Sequence, residues 1–275
     1  MIKPPKFLCL YASFFSLLMH PFSMGEQDYF GREKEPTGLS GNLFDLKNDF
    51  NLKPTPVSSG GGVKMEEFYK AFDGLVEQGF SEEALAKYSI GDETCNFEYM
   101  ALRTAPADKV PAAFGSPYID PRGVVILYEG EIEKAPTKEF RFAGAFDDAM
   151  AVVVNGKCVF YNSFHDVSKL KSKELSKRKK ETKSKTADVY GEFITLKKGD
   201  KVKIAFAEVP GGNIGGALKV ELKRFNYDED DYDDPILHPF VARKVKRDLE
   251  DELEATGIKL ELKRIPEFIF KLAEE

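Results

Sequence analysis

The segment Val124–Phe160 reads VVILYEGEIEKAPTKEFRFAGAFDDAMAVVVNGKCVF. Three apolar stretches rich in β-branched residues are separated by turn signals. Two adjacent aspartates, Asp147 and Asp148, stand at the lip of the third stretch, and Asn155-Gly156 follows it. Strand, turn, strand, acidic corner, strand is the organisation of a β-sandwich edge. The acidic corner is where a specific chemistry, cation binding, is easiest to argue; the alternative is a structural corner in which one carboxylate caps backbone N–H groups and the other faces water.

The same pattern extends in both directions. Upstream, GNLFDLKNDFNL (41–52) reads as an opening strand with Leu43, Phe44 and Leu46 as its apolar residues. KPTPVSSGGG (53–62) is a loop, because two prolines and three consecutive glycines exclude regular structure. Phe68, Phe72, Leu75 and Val76 then fall on one face of a helix that Gly79 ends. Ser81 is a good N-cap for a second short helix with Glu82 and Glu83 in its first turn. Strand character resumes at Thr94–Ala101, and a proline-rich connection leads into the Val124 block. Downstream, 190–196 and 202–209 read as strands around a Lys197-Lys198-Gly199-Asp200 turn. The alternation in Lys201-Val202-Lys203-Ile204 predicts one wet face. PGGNIGG (210–216) is a glycine-rich loop without the Lys-Ser/Thr ending of a phosphate loop, and 217–225 alternates again.

Bulk properties narrow the function. The chain has 275 residues, enough for one large or two small domains, and a net charge of −6 that gives no general pull towards nucleic acid. There is no Trp, so Phe and Tyr supply all aromatic surface. Residues 1–25 read as a secretory signal: Lys3 and Lys6 precede the apolar run FLCLYASFFSLLM, which is short for a membrane span. Export is therefore expected, to periplasm, outer-membrane surface or medium, with membrane attachment only if the segment is retained as an anchor. Residues 26–40 read as a linker. Cys9 leaves with the signal; Cys95 and Cys158 are expected as buried thiols, with a disulfide as the alternative.

Two charged runs interrupt the pattern. KLKSKELSKRKKETKSK (169–185) holds nine basic and two acidic residues. It reads either as a loop for a polyanionic partner or as a solvated insertion, and without interleaved aromatics the second is favoured. DEDDYDD (228–234) has six carboxylates in seven residues but no EF-hand spacing, and reads as a solvated hinge. Val241, Val245, Leu249 and Leu253 predict a helix over 241–255, with Gly257 as its cap, and Ile258, Leu260 and Leu262 a short strand.

The order of these pieces resembles the PA14 domain, a β-sandwich of bacterial toxins, glycosidases and adhesins. The resemblance rests on Leu43-Phe44-Asp45-Leu46, on FRFAGAFDDAMAVVVNG (140–156), on LKKGDKVKIAFA (196–207) and on the glycine-bearing loop and strand 211–222. It implies an antiparallel sandwich over 41–226, with a helical insertion at 64–90, the basic loop at 169–185, and 227–275 as an acidic hinge and helical C-terminal extension. In sugar-binding PA14 domains the paired aspartates share a cis peptide and both ligate calcium. Side chains of neighbouring strand residues otherwise point to opposite faces. Calcium takes about six to eight oxygens, so further ligands are needed. The resemblance puts Asn213 and carbonyls of its loop there, with sugar hydroxyls completing the shell. The chain departs from the family at Phe146 before the pair and at Ala149 and Met150 after it. Tyr161 and Tyr190 are the candidate stacking platforms for a sugar, with ordinary sandwich packing as the alternative for either.

No catalytic constellation is read. Glycoside hydrolysis needs two carboxylates about 5 to 10 Å apart across a cleft, whereas Asp147 and Asp148 are neighbours. His165 and His238 lack a nucleophile in an elbow motif or a second metal-ligand partner. The expectation is a non-enzymatic, calcium-assisted carbohydrate-binding module with a glycan or polysaccharide partner. The alternative is a structural or protein-interaction module of the cell envelope.

Overall fold

The computed structural model describes residues 37–163, 177–178, 188–209, 211–223, 236–242, 251 and 265–272. In chain order the elements are strand β1 (Ser40–Asp49), helices α1 (Met65–Glu77) and α2 (Glu82–Leu85), and strands β2 (Tyr88–Ile90), β3 (Cys95–Asn96) and β4 (Ala101–Pro106). Helix α3 (Lys109–Ala113) and strands β5 (Val124–Lys134), β6 (Phe140–Phe146), β7 (Ala149–Val154) and β8 (Lys157–Ser163) follow. Strands β9 (Lys177–Arg178), β10 (Val189–Tyr190), β11 (Lys201–Glu208), β12 (Asn213–Leu222), β13 (His238–Pro239) and β14 (Ile269–Phe270) complete the order.

These strands form two antiparallel sheets. The first runs β2-β1-β5-β11-β7-β8, with β14 beside β5 and β3 beside β1; the second runs β13-β12-β6-β10-β9, with β4 beside β12. The fold is mostly β, an antiparallel sandwich, as the alternation predicts. The hairpin β7–β8 turns at Asn155-Gly156, both with positive φ of 49° and 81°. Asn-Gly favours that conformation, whose twist matches the flanking strands.

Period-2 alternation assigns the faces of β11. Val202, Ile204 and Phe206 point into the cluster between the sheets; Ala205, Ala207 and Val209 belong to a second cluster on the outer side. The inner core is packed with aromatic rings. Phe97, Tyr128 and Phe206 touch one another, and Phe140, Phe142, Phe240 and Phe268 continue the chain of ring contacts.

The outer face is covered by the helical insertion. Phe68, Phe72, Leu75 and Val76 of α1 are buried against Ala149, Ala151, Ala205 and Ala207. Four alanines make a shallow floor, so the helix can seat its large rings close to the sheet. The wet face expected for β11 is therefore wet only at its start: Lys201 is exposed, and Lys203 reaches the Phe80 carbonyl at 2.7 Å. Ser81 caps α2 as expected, accepting from the Ala84 N–H at 3.3 Å. The last three residues of the insertion, Tyr88–Ile90, are strand β2 instead of helix, because β1 offers them a free edge.

The C-terminal part differs from expectation more. Val241 lies in bridges to Tyr99 and Glu267 and does not open a helix. β13 pairs with β12, and β14 with β5. Phe240, Phe268 and Phe270 belong to the inner core. Asp251 is helical, as expected for 241–255, and the other described residues after 227 complete the sandwich, because the core needs their rings. The linker expectation also stops early: Leu39 is fully buried and the Thr37 hydroxyl donates to the Phe97 carbonyl at 2.8 Å. The signal, residues 26–36, the basic run apart from Lys177–Arg178, the acidic run, most of 241–255 and the strand expected at 258–262 lie outside the described residues. Among the described residues no helix is long and apolar enough to cross a membrane.

Candidate functional site

Asp147 and Asp148 sit where the chain crosses from β6 in the second sheet to β7 in the first. Their peptide is cis. The Asp147 N–H donates to the Gly215 carbonyl of β12 at 2.9 Å, and the Asp148 N–H to the Ala207 carbonyl of β11 at 3.1 Å. Adjacent residues are therefore tied to opposite sheets. Asp148 is 1% exposed, and its Oδ2 accepts from the Val209 N–H at 2.8 Å. Asp147 is half-buried.

A third carboxylate joins them. Ala149 pairs with Ala207, so one step towards the sandwich end sets Asp148 opposite Glu208. Like charges directly opposite each other on neighbouring strands repel. Glu208 is 4% exposed, with Oε1 accepting from the Gly211 N–H at 2.8 Å and Oε2 buried without a partner. Burial, and then the Asp148 charge, push its carboxyl up to about 8, with Asp147 adding to the rise against the Gly211 bond. From the outer side Tyr69 of α1 comes in beneath the corner, fully buried and beside Ser163. Its phenol is pushed up by burial and then by the Asp148 charge, a further sign of crowded negative charge.

The two aspartates offer hard oxygens, which fit calcium and not a soft metal, and the orphaned, buried Glu208 oxygen adds negative charge beside them. Among the described residues no three His, Cys, Asp or Glu groups are gathered as a formed metal cage. Backbone carbonyls and amide oxygens would have to supply the remaining ligands.

Asn213 opens β12 at this same end, exposed and opposite Pro106. It is two residues from Gly215, which holds Asp147. The three residues expected to hold calcium are thus brought to one end of the sandwich. The two tyrosines are not. Tyr161 is 3% exposed, packs against Phe72 with ring centroids 6.2 Å apart, and donates to Asp73 at 3.0 Å. Its ring is core beneath α1, because β8 turns that face towards the helix. Tyr190 is half-buried and pairs with Ala143, four residues along β6 from Asp147. Its ring is covered by the Arg141 guanidinium, 4.6 Å from the centroid. Cys95 and Cys158 are thiols and not a disulfide, but both are half-buried where burial was expected.

The rim of this end carries a second group. The Arg122 Nε donates to both Asp120 oxygens at 2.8 and 3.1 Å, and Nη2 donates to Asp120 and to the Gly61 carbonyl at 3.0 Å. The Arg122 guanidinium holds the Asp120 carboxyl below the usual carboxylate range. Lys47, 8% exposed, fixes the loop from below by donating to the Asp120 and Arg122 carbonyls. The Gly123 N–H donates to the Glu208 carbonyl at 2.8 Å. Neither Glu208 nor Arg122 was among the residues singled out in the sequence. Glu208 had a signal: it continues the inward series Val202, Ile204, Phe206.

No family model matches the chain, and no curated protein matches it. Solved structures similar to it include a PA14 sugar-binding domain from an RTX adhesin, 18% identical, covering 76% of this chain and 97% of that one at a TM-score of 0.36. Another is the Epithelial Adhesin 6 A domain from Candida glabrata in complex with Galb1-3GlcNAc, 13% identical, covering 74% and 87% at 0.37. A third is the PA14 domain of the antifreeze protein MpAFP, 13% identical, covering 79% and 93% at 0.37.

Proposed function

We propose that this chain is an exported, non-catalytic carbohydrate-binding module whose acidic corner takes calcium. The observation that carries the reading is the buried, unpartnered Glu208 oxygen placed opposite Asp148. A divalent cation offsets that concentration of negative charge, which otherwise has to be relieved by protonation. Asp147, Asp148 and Asn213 would hold the ion, with carbonyls of the loop preceding Asn213. When bound, calcium supplies open coordination positions for saccharide hydroxyls. The chain's own contribution is orientation. The Val209 N–H bond fixes one oxygen of Asp148, and Glu208 pins Gly211, which steadies the loop that leads to Asn213. Adjacent aspartates joined to opposite sheets suit one shared ion and not the separated acid and nucleophile of a hydrolase. Export is inferred from the leader-like residues 1–25.

The test is a melting curve of the full chain in excess calcium and in chelator, beside an Asp147→Ala, Asp148→Ala double variant. Calcium at one hundred times its dissociation constant should stabilise the wild type by about 2.7 kcal/mol and leave the double variant unmoved. Identical curves with and without calcium would remove the metal from the proposal and leave a structural or protein-interaction module.

A further inference from the structure

We infer that Arg122 is the residue that selects the saccharide, and that it selects a neutral one. The inference rests on the carbohydrate reading above and extends it to a residue on a different loop from the acidic corner.

Arg122 stands between two glycine-rich segments at the mouth of the site. Its stem lies against Gly211: a Cβ added there would come within 2.7 Å of the Arg122 Cγ, and Gly211 has a φ of +78°. A side chain at that position would displace the arginine. Across from it, Nη2 bonds the Gly61 carbonyl, and Nη1 lies 3.8 Å from where a Cβ on Gly62 would be. Around Gly60, Gly61 and Gly212 an added Cβ would meet nothing within 4 Å. The rim is therefore open, and a bulky ligand can approach the backbone.

The guanidinium is pre-organised, with 37% of the side chain exposed. Nε and Nη2 are engaged by Asp120, and Nη2 also by Gly61, whereas Nη1 makes no hydrogen bond among the described residues. That pattern decides the ligand chemistry. Arginine grips carboxylates and sulfates through a two-nitrogen fork. Here one fork is filled by Asp120, and the other has lost Nη2 to Gly61. What remains is Nη1, whose two N–H groups diverge and have no second nitrogen beside them to complete a fork, in a pair whose charge Asp120 already neutralises. A hydroxyl or ring oxygen of a neutral sugar suits this donor; a uronate carboxylate does not. The location suits it too, since the loop is tied to Glu208 through Gly123, and Glu208 in turn holds Gly211 of the Asn213 segment, against which the Arg122 stem packs.

The experiment prints neutral hexose and N-acetylhexosamine oligosaccharides beside hexuronate oligosaccharides on one array. The full-length wild type, Arg122→Gln and Arg122→Lys are applied in calcium, and the calcium-dependent melting shift of each is recorded alongside. The expected result is retention of a neutral saccharide by the wild type that falls roughly tenfold or more in Arg122→Gln, with the calcium shift unchanged. Arg122→Lys is expected to recover little, since lysine cannot be held by Asp120 and Gly61 in the same geometry. Equal retention by wild type and Arg122→Gln would overturn the role of Arg122. Preference of the wild type for hexuronates would overturn the neutral-ligand assignment. A wild type that shifts with calcium but retains no saccharide would overturn the carbohydrate reading itself, and this inference with it.

Discussion

Asp200 couples two turns at the end of the sandwich remote from the acidic corner. It is 6% exposed, accepts from Asn155 Nδ2 at 2.9 Å and from the Lys197 N–H at 2.8 Å, and so joins the β7–β8 turn to the one before β11. Burial pushes its carboxyl up, but the bonds from Asn155 and Lys197 outweigh it and hold the group below its ordinary value. A carboxylate with a depressed folded pKa contributes stability that is present above the unfolded value of about 3.9 and is lost as pH falls through the folded one. At pH 7, Asp200→Asn should cost about 1–2 kcal/mol in a denaturant titration, and the gap to wild type should close below about pH 4. A gap independent of pH would show that the charge does not matter. Glu208 marks the limit of sequence reading at this scale. Its inward phase was visible in the alternation of β11, but its partner was not. Which residue lies opposite is set by the register between β7 and β11, two strands far apart in sequence, and no local pattern encodes that pairing. Asp147 and Asp148 were legible because neighbours in sequence are neighbours in space. Tyr161 was misplaced for the converse reason: period 2 tells which residues share a face, not what covers it.

At the level of elements, α1 shows what a covered sheet face requires. Its apolar positions were readable from their spacing, and so was the Ser81 cap of α2. The floor beneath was not, because Ala149, Ala151, Ala205 and Ala207 look unremarkable until two distant strands align them. Phe72 is fully buried and meets Phe68, Phe80 and Tyr161. Phe72→Ala should cost about 3–5 kcal/mol, since small alanines opposite cannot close the gap. A loss under 1 kcal/mol would mean that the helix is a loosely held appendage. The helix also stands next to the site, as Tyr69 lies under the acidic corner. The strands β5 to β8, β11 and β12 were legible from alternation. The two-residue strands β9, β13 and β14 were not, as they exist only through their partners, whereas β3 lies within the strand read at Thr94–Ala101 and β10 only touches the start of the one read at 190–196.

For the whole molecule, the sandwich is closed by residues far along the chain. The acidic run after Phe225 reads as the end of a domain, and a composition break of that kind hides a return. Phe240 and Phe268 nonetheless meet inside the core with ring centroids 4.7 Å apart, and Phe268 meets Phe140 at 5.1 Å. A chain ending at Lys223 loses Phe240, Phe268 and Phe270 from one core. It should unfold without a cooperative transition by circular dichroism, or melt far below the full chain. A truncated chain that melts like the full one would restore the boundary near residue 226. The two bonds at the acidic corner have a mechanical meaning as well. Asp147 is fastened to β12 and Asp148 to β11, so a pull that slides one sheet past the other loads both fastenings together. On the proposed function, an ion held by both aspartates would sit at the seam and act as a rivet between the sheets, so tension on a bound ligand would be passed to both halves of the sandwich instead of peeling one strand away.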